Sequence, residues 1–184
     1  MGIKSNIVLG VISAIVFGIG MFFFVLVMPV FSLYCPADSI NSVPGRTPIP
    51  VMTPALLPEG YSLQRALVKP NEITLRYFDG PTCGKDSSNG VIEVTGEKMS
   101  PSFNMTATQY IDNYYEERKD QYYMKKHYVF DNDRHAVGTS YEMTGEGRYS
   151  MLVGDDNTDT LYSVSANLEP DKVAAIAESL YEVK

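Results

Sequence analysis

Residues 134–168, RHAVGTSYEMTGEGRYSMLVGDDNTDTLYSVSANL, alternate apolar and polar side chains with the period of a β-strand in three successive runs. Val137, Thr139, Tyr141 and Met143 share one face of the first run, Tyr149, Met151 and Val153 of the second, and Tyr162, Val164, Ala166 and Leu168 of the third. Gly145-Glu146-Gly147 and Asp155 to Asp159 supply turn chemistry between them, so Arg134–Met143, Arg148–Gly154 and Thr160–Leu168 read as an antiparallel meander. A fourth strand, His127–Asp131, precedes them across Asn132-Asp133, a two-residue hairpin turn on this reading.

Outward from the meander lie two helices. Thr106 with Gln109 makes a capping box ahead of an apolar stripe at Tyr110, Ile111, Tyr114 and Tyr115, which predicts a helix running to about Tyr123. A last helix opens at Pro170, whose missing N–H costs nothing there, and buries Val173, Ile176, Ala177 and Leu180. Upstream, Tyr61–Lys69, Glu72–Asp79 and Gly90–Glu97 read as strands, with Ile73, Leu75, Tyr77, Ile92 and Val94 inward and Asn89-Gly90 as a turn. The order βββαββββα predicts a single α+β domain over residues 56–184, a mainly antiparallel sheet of about seven strands with two helices covering one face. Residues 35–55 hold Pro36, Pro44, Pro48, Pro50 and Pro54 among small polar residues, and this composition predicts an extended linker, either a semi-rigid stalk or a strap laid over a partner.

The N-terminal end has a different character. Ile7 to Phe31 carries no charged side chain, and Ile7 to Val27 as a helix would be about 31 Å long, the thickness of a bilayer's hydrocarbon core. The run exceeds the apolar part of a cleaved secretory signal and ends without a small-x-small site, so residues 7–34 are expected to stay as a signal anchor. Tyr34 before Cys35 argues against a lipid-modified cysteine. Lys4 lies in the tail, residues 1–6, while every Asp and Glu follows Cys35, so the tail is expected in the cytoplasm and the domain outside, in a single-pass cell-membrane protein. Six residues leave no room for a cytoplasmic domain on this reading. Gly10, Ala14 and Gly18 line one helix face and can admit a close neighbour, which points to membrane lipid and other membrane-protein subunits as partners.

Leu57-Pro58-Glu59-Gly60-Tyr61, Leu161-Tyr162-Ser163-Val164 and Ile176-Ala177-Glu178-Ser179-Leu180 resemble a family of extracytoplasmic domains of unknown function, found in membrane-anchored proteins, lipoproteins and the outer ends of anti-sigma factors. The order of elements is similar to the PsbP/Mog1-like fold. The resemblance implies a non-enzymatic accessory or binding role over residues 56–182 and carries no catalytic residues.

Candidate chemistry is sparse. Cys35 and Cys83 are the only cysteines, and in an oxidising compartment they can form a disulfide or stay as two thiols. Gly80 to Asp86 is one residue short of a phosphate loop and has Asp86 where Ser or Thr must meet magnesium. His127 and His135 invite a metal with Asp131 and Asp133, yet the two-residue turn pairs Phe130 with His135 and His127 with Gly138, which sends the imidazoles to opposite faces and predicts no metal site. Asp155, Asn157 and Asp159 copy the start of a calcium loop but lack its glycine and terminal glutamate, leaving an exposed acidic hairpin. Tyr110, Tyr114, Tyr115, Tyr122 and Tyr123 crowd one helix, where core packing and protein contact both apply. Asn104-Met105-Thr106 is a glycosylation acceptor pattern. Net charge of −7 disfavours nucleic acid. The sequence thus predicts a protein that is not an enzyme, uses no cofactor and binds partner proteins through its outer domain, with a small-ligand or metal-binding sensor as the alternative.

Overall fold

The computed structural model describes residues 39–80, 90–131, 133–141 and 147–184. The expected spanning helix, the Gly10, Ala14 and Gly18 face, Cys35, Cys83 and most of the Gly80–Asp86 loop lie outside these residues. Among the described residues no helix is long and apolar enough to cross a membrane.

Seven strands form one antiparallel sheet: β2 (Tyr61–Lys69), β3 (Glu72–Asp79), β4 (Val91–Lys98), β5 (Met124–Val129), β6 (His135–Tyr141), β7 (Arg148–Asp155) and β8 (Thr160–Ala166), in spatial order β2-β3-β4-β8-β7-β6-β5. The meander is present as predicted, with Tyr149 opposite Ala166, Met151 opposite Val164 and Val153 opposite Tyr162, all six buried. Helix α1 (Ala107–Arg118) falls between β4 and β5, and α2 (Pro170–Glu178) follows β8, so the α+β order of the main sheet stands.

Three expectations need correction. First, the helices lie on opposite faces of the sheet. Ile111 of α1 clusters with Met124 and Val137, against Leu152 and Leu161, whereas Val173, Ile176 and Ala177 of α2 join Ala136, Met151, Val153 and Val164. Neighbours such as Ala136 and Val137, or Met151 and Leu152, point to opposite faces of a strand, and both faces of β6 and β7 are apolar. A single helical layer would leave one face wet.

Second, the 35–55 segment is no stalk from Ile40 onward. It makes two 3-10 turns, Ile40–Ser42 and Pro44–Arg46, and then β1 (Met52–Pro54), which pairs antiparallel with β9 (Leu180–Glu182). Val43, Ile49, Val51 and Met52 are buried in the main core. Pro44, Pro48 and Pro50 precede β1 and so take no donor from its ladder, and the carbonyls are used: Tyr162 Oη donates to Pro50 O at 3.0 Å, and Val183 N donates to Val51 O at 2.9 Å. The domain therefore includes residues 40–55.

Third, α1 stops at Arg118 instead of continuing to Tyr123. Met124 is buried against Ile111 and Val137, and the chain must turn at Gln121, whose carbonyl accepts from Met124 N at 3.0 Å, to bring that side chain back under its own helix.

Candidate functional site

The placement of α1 is decided at its N-terminus. The capping box is present, with Gln109 N donating to Thr106 Oγ1 at 3.2 Å and Thr106 N to Gln109 Oε1 at 3.1 Å. Asp156 accepts from Thr108 N at 2.7 Å, a negative charge at the positive end of the helix dipole. Gly154 lets the helix press onto β7, since a Cβ there would stand 2.6 Å from the Ala107 carbonyl oxygen. Ile111, fully buried, fixes the rotation of the helix, and the next residue, Asp112, then projects from its flank toward β5 and β6.

The β5–β6 hairpin brings both histidines to that carboxylate. Phe130 N donates to Arg134 O and Asp133 N to Phe130 O, each at 3.0 Å, and Asp133 takes a left-handed φ of 60°. The loop is thus one residue longer than the predicted two-residue turn, and the register becomes Val129 opposite His135 and His127 opposite Val137. A shift of one residue moves a whole strand's side chains to the other face. The expectation of opposed imidazoles is overturned: His127 Nε2 lies 2.9 Å and His135 Nδ1 2.6 Å from the same oxygen, Asp112 Oδ1. A carboxylate oxygen accepts, so each ring turns an N–H toward it.

The rings are held as well as brought close. Tyr115, on the same flank of α1 as Asp112, stacks on His127 at 5.2 Å, and the two imidazoles meet edge to face at 5.5 Å. The side chains are 42 % (Asp112), 27 % (His127) and 24 % (His135) exposed, so the cluster is framed by protein and open to solvent. All three ligand atoms lie within 4.8 Å of one another, an N,N,O set contributed by one helix and two strands. Sequence reasoning paired the histidines with Asp131 and Asp133, the local acids. Asp112 carried no local signal except its position next to Ile111 in the helical stripe.

The other predicted residues fall elsewhere. Tyr110, Tyr114, Tyr115 and Tyr123 pack against the α1 cluster, with Tyr110 stacked on Tyr114 and the Arg118 guanidinium 4.4 Å from the Tyr114 ring centroid. Tyr122 is 85 % exposed, and Val129 is exposed on edge strand β5. Asn104 is exposed just before the α1 cap. Asp155 is buried, not on the surface as the acidic hairpin implied, and its Oδ1 accepts from Asn157 N within its own turn.

Two buried tyrosines and one arginine hold the strap and the C-terminal strand. Tyr77 shares a 2.7 Å hydrogen bond with Thr53 of β1, and burial pushes its phenol up to about 12. Burial likewise takes Tyr162 up to about 12. Arg134 donates at 3.0 Å to the carbonyls of Glu178 and Leu180, at the junction of α2 and β9, and burial lowers its pKa against the pull of nearby Asp155. A comparison with protein-family models gives no match for this chain, and a comparison with curated proteins gives none either.

Proposed function

We propose that the chain is a non-enzymatic, single-pass membrane protein whose extracytoplasmic domain works by binding, as an accessory subunit beside other membrane proteins. The observation that carries the binding role is the convergence of Asp112, His127 and His135 on an open surface between α1 and the β5–β6 hairpin. Polar groups from three segments held in this way suit recognition at a surface, and exposed Tyr122 and Val129 on the flanking segments add apolar area of the kind found in interface cores. The membrane address rests on the uncharged run Ile7 to Phe31. The resemblance to membrane-anchored outer domains points the same way.

Extraction of native membranes with alkaline carbonate should leave the chain in the pellet, and added protease should reach the domain from outside. In mild detergent the chain should co-purify with a stoichiometric membrane partner, recovered less when Tyr122→Ser weakens the outer contact or Gly18→Leu the helix contact. A water-soluble form trimmed near Tyr34, or a lone monomer indifferent to Gly18→Leu, refutes the proposal.

A further inference from the structure

We infer that Asp112, His127 and His135 form a binding site for one first-row divalent cation of the zinc class. The inference rests on the binding role proposed for this surface and names the ligand. Two imidazole nitrogens and one carboxylate oxygen are the donor types such ions prefer, while magnesium and calcium call for oxygen donors alone. The spacing is close to what an ion needs. Donors about 2.0–2.1 Å from a tetrahedral zinc stand about 3.3 Å apart, and here Asp112 Oδ1 is 2.9 Å from His127 Nε2 and 2.6 Å from His135 Nδ1, all three within 4.8 Å of one another. Backing the half-exposed Asp112 carboxylate off by about half an ångström opens the seat, and each imidazole then ligates as the neutral tautomer, its proton moved to the other ring nitrogen.

The rings are preorganised for this. The hairpin register puts both on one face, and Tyr115 stacked on His127 limits its rotation. Three protein ligands leave a fourth position facing solvent, for water or for an anionic group of a bound partner. The ion also joins α1 to edge strand β5, two elements otherwise linked through Ile111, Met124 and their neighbours.

The test is a zinc titration of the full chain in detergent, by calorimetry and by melting temperature, with calcium and magnesium as controls. One zinc per chain should bind at micromolar concentration and raise the melting temperature, with calcium at least tenfold weaker. Asp112→Asn and His135→Gln should each weaken zinc tenfold or more. Absence of binding up to about 1 mM zinc, or unchanged affinity in the double variant, overturns the inference. Should the variants misfold, zinc-edge absorption of the wild type decides: two imidazoles in the first coordination sphere support the site, and oxygens alone overturn it. Partner co-purification repeated in chelator separates the two ideas. A retained partner without zinc affinity removes only the metal, and zinc affinity without a partner removes only the docking role.

Discussion

Replacing Ile49 by alanine asks whether the proline-rich strap is part of the folded core or lies loosely on it. Ile49 is 2 % exposed and sits in the main core cluster with Val43, Val51 and Met52. The substitution removes three carbons, about 2.4 kcal/mol at about 0.8 kcal/mol per buried methylene, and the cavity left behind brings the expected cost to about 3 kcal/mol. The backbone bond from Ile49 N to Thr47 Oγ1, 3.1 Å, survives the change, so the loss reports packing. For a domain of this size each kcal/mol shifts the melting temperature by roughly 3–4 °C, so a drop of about 10 °C is expected. Near-UV circular dichroism can follow it, because thirteen tyrosines and no tryptophan supply the signal. Leu56→Ala is the control: Leu56 is 58 % exposed and should cost within about 0.5 kcal/mol. If Ile49→Ala melts together with Leu56→Ala, the strap does not belong to the cooperative unit and the reasoning fails.

Gly138→Ala should destabilise by about 1–3 kcal/mol, because a Cβ there would overlap the hydroxyl of Tyr149, and Tyr149→Phe should recover part of the loss in urea unfolding. Arg134→Met should cost about 2–3 kcal/mol by orphaning the Glu178 and Leu180 carbonyls, and amide exchange of β9 should accelerate more than that of β7. Alkaline pH should loosen the strap. Tyr77 and Tyr162 titrate near 12 when folded and near 10 when unfolded. Their contribution is therefore complete below pH 10 and is lost as pH rises from 10 to 12, up to about 3 kcal/mol each. The urea midpoint should fall across that window and fall less steeply in the double variant Tyr77→Phe/Tyr162→Phe, where Tyr149, its phenol also raised by burial, keeps part of the slope; a midpoint indifferent to pH in the wild type counts against the burial of these phenols.

What was legible in the sequence is what neighbouring residues decide among themselves. The alternation of Tyr149, Met151 and Val153, the capping box at Thr106 and Gln109, and Pro170 at the start of α2 each depend on bonds or faces a few residues apart, and each appears where it was read. The proposed membrane address also rests on neighbouring residues, the uninterrupted apolar run Ile7 to Phe31, which lies outside the described residues. Tertiary structure decided whatever depended on distant partners. Prolines at 44, 48, 50 and 54 look alike in a stalk and in a core strap until β9, at the far end of the chain, offers β1 its ladder and the core takes Val43, Ile49 and Val51. The continuous apolar stretches Ala136-Val137 and Met151-Leu152-Val153 held the signal for helices on two faces, yet which helix covers which face is set by chain reach and packing. The candidate site turned on the finest distinction: one additional residue in the Phe130–Arg134 loop, accommodated by left-handed Asp133, put His127 and His135 on the same side, and only the packing of Ile111 delivered Asp112 to meet them.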